Sequence, residues 1–261
     1  MKNGIKTIAA GASALTAAAA AVTGVVLYND ANKAHVEQET LTELSTVQSE
    51  TICLRGKLPF FSGTQATCYS RDEFNALYDS DVLNYQGDPV AVRLTHPSDS
   101  RVPENDCRTC RDYLDLSWEN WFPMTGRAQR RNAFFARACG TLEALSKAGI
   151  AQQSYFDAGA LQAEDIQTML GTDAFKFGEA PVSIDEEPVL TRLANDDWQY
   201  QSGELVLTLR ELATANFDQD DSAEILVFVQ IGPVDGTARI NEVGFINKDS
   251  ADATASYSAL R

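Results

Sequence analysis

The sequence predicts an α+β protein with an N-terminal membrane or signal helix, then a helical section packed on an antiparallel β-meander. Three observations lead there. Ile8–Leu27 is a run of twenty uncharged residues behind Lys2 and Lys6. Residues 107–171 place apolar side chains at helical spacing. Residues 204–247 hold three apolar runs of strand character joined by polar turns.

Twenty helical residues rising 1.5 Å each span ~30 Å, about one hydrocarbon core. The length suits a retained anchor, and the small-x-small triplets around Ala17–Ala21 suit cleavage as a signal peptide. Residues 1–29 are thus a signal peptide or an N-terminal transmembrane anchor. Residues 30–50, with Val36, Leu41, Leu44 and Val47 at helical spacing, read as a stalk. Residues 51–249 form the exported domain, and residues 250–261, small and polar, read as a flexible tail.

Within the domain, 51–57 and 64–69 have strand character around a loop with Pro59 and Gly63, which predicts a hairpin. Ser70 and Glu73 make a capping box that opens a short helix through Tyr78. Residues 89–95 alternate as a strand, and 96–106 read as a loop from their Pro, Ser and Asp content. A helix over 107–121 is stopped by Pro123. A longer one opens at Thr125 and runs to Lys147, with Phe135, Ala138, Cys139, Leu142 and Leu145 on one stripe. A third helix covers Leu161–Leu170. Strands at 204–212, 224–231 and 238–247 then follow, the last two joined by the turn GPVDG.

The net charge of −16 argues against a nucleic-acid partner, which needs a basic surface to replace phosphate counterions. It argues equally against docking of the globular part on anionic lipid, leaving membrane contact to the N-terminal helix. Five cysteines follow the apolar run, and in an oxidising compartment they pair, leaving one over. The hairpin brings Cys53 to Cys68. Cys139, on the buried stripe, reaches Cys110 or Cys107, with Cys110 preferred. Two other uses of the Cys107-x-x-Cys110 motif stand beside this staple: a redox pair, or a zinc site completed by Cys139 and His96. Trp118, Trp121 and Phe122, at i, i+3 and i+4, read as a buried helix face rather than a sugar-stacking surface.

The sharpest chemical pattern is Asn216-Phe-Asp218-Gln-Asp220-Asp221-Ser-Ala-Glu224. It places oxygen side chains at positions 1, 3, 5 and 9 of a loop between two strands. A hard cation such as Ca²⁺ takes six to eight oxygens, and alternate residues of a tight loop turn theirs to one centre. The pattern resembles the calcium loops of FG-GAP repeats and dockerin-like modules, and like them runs into an apolar strand. That resemblance implies that Asn216, Asp218, Asp220 and Glu224 are the metal ligands. It departs from them at Asp221, where glycine is usual, and Val227 in place of a position-12 glutamate excludes an EF-hand. The segment CRTCRDYL…FFARAC, with FDQDDSAEILVF, also resembles uncharacterised exported bacterial proteins over residues 105–247, which implies a secreted α+β domain and transfers no catalytic residue.

These readings combine into an envelope or extracellular interaction module, non-catalytic, with a structural calcium loop. It would be periplasmic or at the cell surface, anchored or released according to the fate of residues 8–27. The competing class is an envelope enzyme, either a thiol oxidoreductase or a carboxylate-dependent hydrolase.

Overall fold

Strand Glu224–Pro233 is buried at nearly every residue, on both of its faces. A strand of a one-sided sheet would alternate instead, so its sheet must be covered twice. The computed structural model describes residues 51–99, 101–172, 174–182 and 189–260. The apolar run and the stalk lie outside the described residues. Among the described residues, no helix is long and apolar enough to cross a membrane.

The strands in chain order are β1 Thr51–Cys53, β2 Cys68–Ser70, β3 Val92–Leu94, β4 Asn105–Cys107, β5 Lys176–Phe177, β6 Ala180–Pro181, β7 Val189–Arg192, β8 Trp198–Ser202, β9 Leu205–Ala215, β10 Glu224–Pro233, β11 Ile240–Asn247 and β12 Ser256–Ala259. The helices are α1 Arg71–Leu77, α2 Cys110–Trp118, α3 Gly126–Lys147 and α4 Ala163–Leu170. Strands β7 to β12 form one antiparallel sheet in simple sequential order, a meander of six strands.

Two apolar layers sandwich that sheet. One joins Leu226, Phe228 and Val243 of the sheet to Phe60, Phe74, Phe135, Leu142 and Leu145, from the N-terminal hairpin region, α1 and α3. The other joins Ile225, Val227, Val229 and Ile231 to Phe156, Leu161, Ile166, Met169 and Phe175 around α4. Residue parity explains the division, since successive side chains of β10 point to opposite faces.

Parity breaks in β9. Glu211 faces Val227 and Ala213 faces Leu226, so Leu212 is an extra residue, a β-bulge. Before the bulge Leu207 and Leu209 enter the α4 layer; after it Ala213 and Ala215 enter the α3 layer. The bulge also receives β1: the Arg55 N–H donates to the Leu212 carbonyl at 2.8 Å, and Leu54 bridges Ala213.

Local signals set the helix starts. The Ser70 hydroxyl accepts the Glu73 N–H at 3.3 Å and the Glu73 carboxylate accepts the Ser70 N–H at 2.7 Å, so the capping box of α1 is formed. Thr125 caps α3 through the Ala128 N–H at 3.1 Å, and the helix runs to Lys147 with the expected stripe inward.

Several expectations are corrected. The first long helix starts at Cys110 rather than Cys107, because Thr109 caps it. Residues 105 and 106, expected in a loop, and Cys107, expected in that helix, pair with β3, and Arg93 and Asp106 face each other across that ladder. The α2 helix stops at Trp118 and Asn120 takes a positive φ of 63°, so Trp118 is not on a buried face. It is 83% exposed. The meander has six strands, not three. Within the segment expected as a tail, Ser256–Ala259 form β12 against β11, and Leu260 packs so close to α3 that a Cβ on Gly140 would stand 3.2 Å from it.

Candidate metal loop

The turn between β9 and β10 is held at both stems. Asn216 exchanges backbone hydrogen bonds with Gly149, at 3.0 and 2.8 Å. The Asp221 carbonyl accepts the N–H groups of Gln152 and Gln153 at 2.9 and 3.3 Å. The segment after α3 is therefore a rail along the loop, sixty-odd residues away in sequence and carrying no signal that sequence reasoning could find.

Inside the loop three side chains bind the backbone ahead of them. Asn216 Oδ1 accepts the Gln219 N–H at 2.6 Å, Asp218 Oδ1 accepts the Asp220 N–H at 3.1 Å, and Asp220 Oδ1 accepts the Ser222 N–H at 2.8 Å. These bonds coil the chain tightly and require left-handed residues. Gln219 and Asp221 supply them, with φ of 70° and 75°. Asp221 thus adopts the conformation that glycine gives at the same place in calcium loops, which an aspartate tolerates better than most residues.

The coil brings the three carboxylates of the expected ligand set together. One carboxylate oxygen from each of Asp218, Asp220 and Glu224 lies within 4.8 Å of the others. Asp218 and Asp220 are exposed, while Glu224 is buried at the start of β10. Asn216 is buried too, with its side-chain oxygen engaged by Gln219.

Burial, reinforced by the neighbouring Asp218 and Asp220 carboxylates, pushes the Glu224 carboxyl up to about 7, against the lowering effect of the Phe217 N–H. Asp220 moves the other way, below the usual carboxylate range, because the Ser222 N–H stabilises its charge. The loop is a concentration of negative charge whose innermost member resists ionising without a counter-charge.

The cysteines are placed as disulfides Cys53–Cys68 and Cys110–Cys139, the second with Cα atoms 5.3 Å apart. Cys107 is left as a buried thiol at the end of β4. Burial first, then the charges of Asp112 and Asp106, push that thiol up to about 11. Neither other use of the CxxC motif is met in this arrangement. A redox pair would join Cys107 to Cys110, and a zinc centre would need both Cys110 and Cys139 as thiolates. His96 instead packs edge-on to Trp121 at 5.2 Å and accepts the Ser98 and Asp99 N–H groups.

Among the buried acids that sequence reading passed over are Asp197 and Glu211. Asp197 is forked onto Arg210 by contacts of 2.9–3.1 Å. Glu211 sits between Arg192 at 3.4 Å and Arg55 at 3.9 Å, its carboxyl raised chiefly by burial. No periodicity marks a charged residue in a strand as buried. Comparison of the chain with protein-family models, curated proteins and solved structures gives no match, so the loop is judged on its own geometry.

Proposed function

We propose that this is an exported, non-catalytic interaction module whose loop from Asn216 to Glu224 holds a calcium ion and fixes the shape of the β9–β10 tip. The observation that carries the reading is the approach of the Asp218, Asp220 and Glu224 oxygens to within 4.8 Å of one another. Two oxygens at Ca²⁺ contact distance, ~2.4 Å, can stand up to ~4.8 Å apart across the ion. Mg²⁺, with contacts of ~2.0–2.1 Å, demands a tighter and more regular shell. All three groups are hard oxygen donors, and Asp221 takes the turn conformation such loops need. The remaining positions of the shell fall to water or to a partner's oxygens.

Export is supported by the twenty-residue apolar run behind two lysines and by the two disulfides, which persist in oxidising compartments. The partner is an envelope or extracellular molecule, with nucleic acid disfavoured by the net charge of −16. The test is thermal unfolding of the full chain with millimolar Ca²⁺, with Mg²⁺ and with chelator, in wild type and Asp220→Ala. A calcium-specific rise in wild type that the substitution removes is expected. Equal curves in all conditions would leave the loop a solvated acidic turn.

A further inference from the structure

A chain of net charge −16 has no Asp or Glu between Glu119 and Glu143, while Arg127, Arg130, Arg131 and Arg137 all fall in that interval. Arg131 is engaged by the Ala91 carbonyl at 2.6 Å. Arg127 and Arg130 are exposed on the first turns of α3 and make no ion pair or side-chain hydrogen bond among the described residues. Arg127 and Arg131 line two adjoining grooves of 330 and 400 Å³, the first bordered by Met124 and the second by Arg130 and Phe134. Glu104 and Asp106 also border the first groove, but Arg93 already holds both, at 3.6 and 2.9 Å.

Large apolar side chains stand out on the segment of chain that leads into α3. Trp118 is 83% exposed, Met124 64% and Phe122 40%, all within seven residues of chain and immediately before those arginines. Exposed apolar groups beside unpaired cations mark a surface that meets something both apolar and anionic.

We propose that this end of the helical section, carried by Trp118, Met124, Arg127 and Arg130, docks on an anionic lipid bilayer. Charge complementarity names the occupant's sign, and the residue types name its texture. Tryptophan settles at the headgroup level, where the indole is half in hydrocarbon and its N–H stays wet. Arginine grips phosphate with a planar fork, and clefts lined by Arg127 and Arg131 offer room for headgroups. Net charge argues against such contact; the distribution of charge argues for it. The acidic remainder is repelled by the same surface, so only one orientation is attractive. Resting on the export reading, a retained apolar run would also raise the local concentration of bilayer, since Thr51 follows Leu27, the last residue of that run, by twenty-four positions. The proposal is independent of calcium.

The experiment uses full-length protein reconstituted or mixed with vesicles of brominated phosphatidylcholine, with or without phosphatidylglycerol. Quenching of Trp118 is read as the fluorescence difference between wild type and Trp118→Phe. Quenching that needs phosphatidylglycerol, fades at ~1 M salt where screening acts within ~3 Å, and falls in Arg127→Ala/Arg130→Ala is the expected result. Each arginine removed should weaken the docked state roughly fivefold. Because Trp118, Arg127 and Arg130 are exposed, the variants keep the fold, and an unchanged thermal midpoint verifies that. Equal quenching by neutral vesicles, or quenching indifferent to the arginine pair, would overturn the proposal. So would absence of quenching, and a salt-sensitive change in oligomeric state lost in the same double variant would then assign the patch to a second copy.

Discussion

Glu224 Oε2 accepts the backbone N–H of Phe217 at 2.6 Å, so the innermost carboxylate of the acidic loop also ties its two stems together. The two roles separate in Glu224→Gln, which keeps an acceptor oxygen and loses the charge. In calcium-free buffer at pH 8 that variant should unfold no more easily than wild type, because it no longer buries an ionised group. Its calcium-induced shift should vanish. Glu224→Ala, by contrast, orphans the Phe217 N–H and should cost about 1–3 kcal/mol in urea unfolding.

Calcium affinity should rise with pH through about 7. The Glu224 carboxyl stands at about 7 in the fold against an ordinary 4.5. Below 4.5 both folded and unfolded chains hold the proton and nothing is gained or lost. Between 4.5 and 7 the unfolded chain ionises first, so the calcium-free fold loses stability as pH rises. The ion needs the deprotonated form, so well below 7 its apparent affinity should fall roughly tenfold per pH unit. Calorimetric titrations at pH 6, 7 and 8 check the sign, and a flat profile contradicts it.

Removing the Cys110–Cys139 bridge by a double Ala substitution should destabilise the domain by about 3.5 kcal/mol in the chain-entropy model. It joins α2 to α3 across 29 residues of sequence, and both cysteines are buried. The Cys107 thiol, buried and pushed up to about 11, should resist iodoacetamide at pH 8 in the native protein. Unfolding with the disulfides kept intact should release one reactive thiol per chain. Labelling of native protein at the rate of a free thiol would contradict this.

The Asp197–Arg210 pair should respond asymmetrically. The Asp197 side chain is 5% exposed and that of Arg210 36%. Arg210→Ala leaves a buried carboxylate unpaired and should cost about 3–5 kcal/mol. Asp197→Ala leaves an arginine that can turn to water, and should cost about 1–2 kcal/mol less. Urea midpoints of the two variants decide the order.

The helix caps at Ser70 and Thr125 and the stripe through Phe135 and Leu142 were legible because they depend on residues within a few positions of one another. The oxygen spacing of the acidic loop was legible for the same reason, although the left-handed turn at Asp221 was not. Strand β9 read as ending at residue 212, where its alternation fails; the structure continues it to Ala215, because a bulge rather than a turn breaks the pattern. Trp118, Trp121 and Phe122 have helical spacing, but α2 stops at the first of them, so the spacing has no helix to act on. Strand β4, Asn-Asp-Cys, has little strand propensity and exists through its pairing with β3, where Arg93 meets Asp106. The rail at Gly149–Gln153 and the burial of Glu211 are purely long-range.

The bulge at Leu212 fixes where β9 could lose a residue during divergence. Deleting any other residue of its ladder would rotate everything on one side of the gap and present apolar rows to the wrong layer. Deleting Leu212 would set Glu211 and Ala213 side by side opposite Val227 and Leu226, a continuous ladder with every neighbour still on its present face. The loss would be confined to one buried leucine and to the acceptor of the Arg55 N–H. Leu212 thus works as an expansion joint: the sheet itself can close over its absence, and what holds the residue in place is the N-terminal hairpin docked against it.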